Sequence, residues 1–239
     1  MRIEKIIKLA KTPNHINKYL THWTGRNKSR IEAFDKLSKI VNSCELKFSC
    51  NRISFPSTDL TINTQMICFT DTPIKQSADH CSRYNYFGIS FNKEAMIEYG
   101  ANPVLYLVDN RQPHQGGLNE IRPRDNEQLG LVKWIDSMLQ PYDTKQFSDG
   151  NWAEFYEREW RINRILPFDW TATAELLKGS HKEYAFEGTI RKVKDAEEFY
   201  LPFNKSIIEN IIAPLSYKAR ARKLIKDNNL DCELILIEE

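Results

Sequence analysis

An α+β fold is the expectation for this chain, and three observations carry it. Short apolar runs with the strand period of two recur along the sequence. Stretches with the helical period of 3.6 fall between them. The two kinds do not alternate in the regular βαβ order of a parallel sheet. At 239 residues the chain is long enough to bury a full core without disulfide or metal staples. Residues 1–239 read as one domain, with an insertion or lid at about 109–151.

The elements follow in chain order. From Met1 to Lys11, Ile3, Ile6, Ile7 and Ala10 recur at helical spacing and predict a short amphipathic helix. This stretch has no continuous apolar run, so it does not read as a secretory signal. Pro13 and Asn14 break the chain. Tyr19 to Thr24 predicts a strand. Arg30 to Asn42 predicts a helix, with Ile31, Phe34, Leu37 and Val41 on one stripe and Ser29 as N-cap. Leu46 to Phe55 has room for a short strand. Ile67 to Thr70 predicts a stronger one, stopped by Asp71-Thr72-Pro73. Residues 75–84 read as helical, Tyr86 to Phe91 as a strand, and Lys93 to Tyr99 as a helix ended by Gly100. Val104 to Val108 predicts another strand.

Residues 109–151 are rich in Gly, Pro, Asn and Asp, with one helix-like stretch from Glu127 to Leu139. Long loops of this kind often serve function. A strand carrying Glu157 and Glu159 follows, then a second irregular region from Pro167 to about Glu197. The chain closes with a strand near Ile207 to Ile212, a basic helix from Tyr217 to Asp227 and a strand from Glu233 to Ile237.

Composition narrows the function. Five cysteines form no Cys-x-x-Cys pair, which reads as reduced, mostly buried thiols of a cytoplasmic protein. Scattered histidines give no zinc knuckle, and no apolar run has the length of a membrane span. The net charge is only +2, yet the first fifty residues carry eleven Lys and Arg against four Asp and Glu. Tyr217 to Lys226 adds five bases and no acid. Such patches can face a polyanion, although solvated helices are the plainer reading. Dinucleotide fingerprints, Walker loops and nucleophile elbows are absent, which argues against the common cofactor and hydrolase folds.

Four constellations can carry chemistry. In Tyr156-Glu157-Arg158-Glu159-Trp160-Arg161, strand alternation puts Glu157, Glu159 and Arg161 on one face and Trp160 on the other. In His22-Trp23-Thr24-Gly25-Arg26, His22 and Thr24 share a face, and Gly25 lets a ligand approach the backbone. An isolated His-x-Thr is more often a satisfied, half-buried histidine. In Tyr84-Asn85-Tyr86-Phe87-Gly88-Ile89 the aromatics can stack a flat ring or simply pack. Cys68-Phe69-Thr70-Asp71-Thr72-Pro73 ends a strand in polar residues, as a site rim or an ordinary turn.

Taken in order with Pro103 to Leu107, these motifs resemble the AbiGi-type abortive-infection family of bacterial phage-defence proteins. The resemblance runs from about residue 19 to 166, with a weaker echo from Ile207 to Pro214. That family is often labelled an antitoxin component. The same order is similar to the ADP-ribosyltransferase fold, a split mixed or antiparallel sheet flanked by helices. This second resemblance implies NAD as cofactor and a set of roles. His22 orients NAD, with Thr24, Arg26, Tyr86 and Arg161 beside the cofactor. Tyr84 stacks the nicotinamide ring, and Tyr86 is its alternative. Glu159 is the catalytic glutamate, and Glu157 is the upstream member of a Glu-x-Glu pair.

The reading this supports is an ADP-ribosyltransferase toxin of a phage-defence system, similar to CmdT-like or DarT-like toxins. It implies RNA or DNA as acceptor and an antitoxin partner, with or without a chaperone. A carboxylate near the ribose 2′-hydroxyl would stabilise the oxocarbenium charge as the nicotinamide bond breaks. The alternative is a non-catalytic antitoxin or partner-binding component. An NAD hydrolase without a macromolecular acceptor is a third.

Overall fold

The computed structural model describes residues 5–7, 17–55, 60–108, 138–142, 158–164, 189–193 and 196–238. Its strands are β1 (Lys5–Ile7), β2 (Tyr19–Thr24), β3 (Glu45–Lys47), β4 (Ser49–Phe55), β5 (Leu60–Thr70), β6 (Phe87–Asn92), β7 (Asn102–Pro103) and β8 (Leu105–Val108). They continue with β9 (Leu139–Tyr142), β10 (Glu159–Arg164), β11 (Thr189–Val193), β12 (Ala196–Pro202), β13 (Ile208–Pro214) and β14 (Glu233–Ile237). The helices among the described residues are α1 (Arg30–Ser43), α2 (Ala78–Arg83), α3 (Lys93–Glu98) and α4 (Lys218–Asp227). The architecture is mixed α+β, as expected.

One large sheet organises the fold. Its order is β1-β14-β13-β6-β2-β5-β10-β7, and β4 pairs with the first half of β5. Most pairs are antiparallel; β13 with β14 and β14 with β1 are parallel. A three-stranded sheet, β11-β12-β3, and a parallel pair, β8-β9, complete it. Alternation gives the large sheet two faces. On one face, Leu20, Ile67, Phe69, Phe87, Ile89, Phe91 and Ile162 join Leu37 and Val41 of α1, Leu224 of α4 and Phe199 of β12 in the main core. On the other, Trp23, Ile212, Ile235 and Ile237 pack with Ile74 and with Cys81 of α2.

Local chemistry explains the best-formed helix. At the start of α1 the Ser29 hydroxyl accepts from the Glu32 amide, and the Glu32 carboxylate accepts from the Ser29 amide at 2.9 Å. This reciprocal capping box satisfies two orphan amides. The exposed Glu32 carboxyl is held below the usual carboxylate range, chiefly by that amide. The helix ends at Cys44, which adopts a left-handed φ of 53°.

Five expectations are corrected. The stretch expected as an N-terminal helix contains β1, whose Lys5–Ile7 pairs in parallel with Ile235–Ile237. An open edge of β14 offers backbone partners, and pairing with it outweighs a weak helical pattern. Pro13 and Asn14 lie outside the described residues. The helix expected from Glu127 to Leu139 does not reach Leu139, which begins β9; residues 127–137 lie outside the described residues. The irregular region expected to Glu197 contains the β11–β12 hairpin, and 167–188 lie outside the described residues. Residues 75–84 split into a 3-10 turn, Ile74–Gln76, and α2. The strand expected at Ile67 is longer, because β5 must span both β4 and β2.

Candidate functional site

The carboxylate expected to do chemistry is held in an ion pair. Glu159 and Arg161 lie two apart on β10, so alternation puts both on one face, as expected. Arg161 donates from Nε and Nη2 to the two oxygens of Glu159, each at 2.8 Å. Its Nη1 donates to the Leu139 carbonyl at 3.1 Å, and Nη2 also reaches the Gln140 side chain. The Arg161 side chain is 3% exposed and that of Glu159 11%. Burial works against the guanidinium charge, but the hydrogen bonds and charge of Glu159 outweigh it and raise the Arg161 pKa. A two-pronged contact of this kind is geometrically specific. It also ties β10 to β9.

Register decides what faces Glu159. Thr70 of β5 lies opposite Glu159, and Thr21 of β2 lies opposite Thr70. Ser90 lies opposite Thr21, with their hydroxyls 2.9 Å apart, and Asn210 of β13 lies opposite Ser90. A polar row therefore crosses five strands on the face that carries Glu159. His22 follows Thr21 and points to the other face. Its ring meets Phe69 edge-on at 5.8 Å between centroids, and Phe69 belongs to the main core. Thr24, on the same side as His22, donates to the Ala33 carbonyl of α1 at 3.5 Å. His22 and Glu159 thus lie on opposite faces of the sheet.

His22 has the marks of a structural residue. Its Nδ1 lies 2.9 Å from the Cys68 carbonyl, which can only accept, so Nδ1 carries the proton. Burial, helped by the charge of Lys36, pushes its pKa down to about 4, against the opposing effect of the Cys68 carbonyl. The ring is neutral at physiological pH. Arg26 is exposed in the β2–α1 loop. Tyr84 and Tyr86 are half-buried against the Trp23 cluster, on the Glu159 face. Tyr86 adopts a positive φ of 65°, which is costly for a bulky side chain. Glu157 lies outside the described residues.

Two features escaped sequence reasoning. Asp71 is buried, and its carboxylate sits 2.6 Å from Arg158 Nε and 3.1 Å from Lys93 Nζ. The Lys93 ammonium also lies 4.4 Å from the Trp160 ring centroid. This cluster joins the end of β5 to the starts of α3 and β10. Trp23 and His80 stack with centroids 6.1 Å apart, and burial drives the His80 pKa down to about 4. The Asp71-Thr72-Pro73 motif signalled a site rim or a turn, but not an ion-pair cluster. Nothing local signalled that Lys93 and Arg158 would meet there. Among the described residues there is no His, Cys, Asp and Glu group able to hold a metal, and no helix long and apolar enough to cross a membrane.

A polar sheet face with a clamped carboxylate does not name a function by itself. A family model described as abortive phage resistance protein AbiGi, antitoxin, matches residues 57–214. The chain belongs to the AbiGi family. That span covers β5 to β13 and includes the Asp71 cluster and the Glu159–Arg161 clamp. No curated protein and no solved structure matches this AbiGi chain. The family description corrects the expectation of an enzyme. It names an antitoxin, which points away from an ADP-ribosyltransferase, and the clamped Glu159 agrees with that correction.

Proposed function

We propose that this protein is a non-catalytic antitoxin of an abortive-infection system, which binds and restrains a toxin partner. The match to the antitoxin family over residues 57–214 carries the reading. The geometry is in keeping with it. Both oxygens of Glu159 are engaged by Arg161, and His22 belongs to the opposite face. The large sheet, clamped at Glu159–Arg161 and at Asp71, offers a braced body on which a partner can dock.

The test is a growth experiment. The toxin encoded with this chain is induced alone and together with it. Toxin alone should arrest growth, and co-expression should restore it, with the two proteins co-eluting on size exclusion. Arrest that persists at full expression of the folded chain would sink the reading, as would arrest caused by this chain alone.

A further inference from the structure

We infer that two copies of this chain exchange their first strand, so that β1 of each copy pairs with β14 of the other. Antitoxin activity is not required for this exchange. Little holds β1 in place. It is three residues long, Lys5–Ile7, and among the described residues its one sheet neighbour is β14, along Ile235–Ile237. The pairing is parallel, which is slightly less stable per residue than antiparallel pairing. The surrounding sequence, with Ile3, Ile6, Ile7 and Ala10, has a helical period. Strand form therefore lasts only while an edge is offered.

The β14 edge, in contrast, is firmly built. Ile235 and Ile237 belong to the second core cluster and Leu236 to the main core, so β14 is anchored on both faces of the sheet. Left uncovered, the outer amides and carbonyls of such a strand are a template for pairing with another chain. The strand that fits this edge is carried by the chain itself. The same three residues from a second copy satisfy it bond for bond, so exchange loses no pairing, and swapping an identical element is a low-cost route to a dimer.

Chain geometry favours the exchange. β6 is antiparallel to both β2 and β13, and β14 is parallel to β13 and β1, so β1 and β2 run the same way. The register aligns Lys5 with Ile235, Ile212, Gly88 and Trp23 across the sheet. Ile7 is therefore level with Gly25, six residues beyond Tyr19, where β2 begins. Within one chain the connection must return about 20 Å along the strands and cross four strand spacings, about 19 Å, a straight line of about 28 Å. Both faces of the sheet carry packed clusters along that line, so the real path is longer. Eleven residues separate Ile7 from Tyr19, and fully extended they reach about 40 Å. A hinge with so little slack invites swapping. A toxin is the poorer occupant of this edge. The matched family span, residues 57–214, begins after β1 and ends before β14, so the edge lies outside the part that carries the antitoxin reading.

The test traps β1 where it sits, using the full chain. K5C/I235C puts two thiols opposite each other in the register, and the exposed Cys50 is replaced by Ser so that it does not cross-link. Mild oxidation should join two chains through positions 5 and 235. The product runs at twice the mass of one chain on a non-reducing denaturing gel, and mass spectrometry maps the bond. A disulfide closed within one chain would overturn the inference, and so would the absence of any disulfide between those positions. Wild type is weighed in parallel by light scattering across a dilution series. It should be dimeric at high concentration. I6P/I7P removes two successive amides, one of which faces β14, and should be monomeric with its cooperative melting retained. This comparison decides alone if the cysteine variant folds poorly. Wild type that is monomeric at every concentration, or a dimer that survives in I6P/I7P, overturns the exchange.

Discussion

The Glu159–Arg161 clamp makes the sharpest prediction, because a structural pair and a catalytic carboxylate respond differently to substitution. Arg161→Met removes four hydrogen bonds and leaves the Glu159 carboxylate, 11% exposed, without its counter-charge. Breaking a buried pair on one side typically costs about 3–5 kcal/mol, because a charge is left uncompensated. Glu159→Gln keeps the shape but loses the charge and turns one acceptor into a donor facing the guanidinium. It should cost about 2–3 kcal/mol, the range for a charged group that loses its partner. In the double variant neither charge is left alone. Its cost should therefore fall short of the sum by about 2 kcal/mol. The assay is urea unfolding followed by circular dichroism for all four proteins. Toxin neutralisation is measured in parallel. Glu159→Gln should still neutralise at temperatures where it is folded. Additivity within about 0.5 kcal/mol would show that the two side chains are not coupled and would refute the clamp.

Three further outcomes follow from the geometry. His22 and His80 are both held near pKa 4 by burial, below the unfolded value of about 6.5. The unfolded chain binds more protons between those values, so stability should be full above about pH 6.5 and fall towards pH 4. The loss at pH 5 should be at most about 2 kcal/mol per histidine, and replacing both should flatten the melting-temperature profile over that window. Gly25→Ala should destabilise by about 2–4 kcal/mol, because Gly25 has φ 90° and a Cβ there would lie 2.4 Å from the Ala33 Cβ. An unchanged urea midpoint would contradict the tight approach of the β2–α1 loop to the helix. Among the cysteines, Cys50 is exposed, whereas Cys81 is buried and its thiol pushed up to about 12. Thiol labelling of the native protein should reach Cys50 first and Cys81 only on unfolding; early labelling of Cys81 by mass spectrometry would contradict its packing beneath Trp23.

The sequence by itself determined the elements whose signals are local. The short β-prone runs Tyr19–Thr24 and Glu233–Ile237 place β2 and β14 at their observed bounds. Ser29 marks the start of α1, and Gly100, at φ 90°, follows α3. Alternation alone put Glu159 and Arg161 on one face of β10. Tertiary structure decided what that face looks upon. Whether His22 shares it depends on the pairing of β2 with β5 and β5 with β10. A slip of one residue would turn His22 towards Glu159. The observed register, Thr21 to Thr70 to Glu159, turns it away into the main core. Sequence order preserves the succession of motifs but carries no record of register, so a plausible catalytic order need not form a site. The same holds for β1, whose strand form comes from the β14 edge. It holds for Asp71, whose two cations lie 22 and 87 residues away in the chain. Such contacts form only once the sheet has brought those segments together, and no short window of residues encodes them.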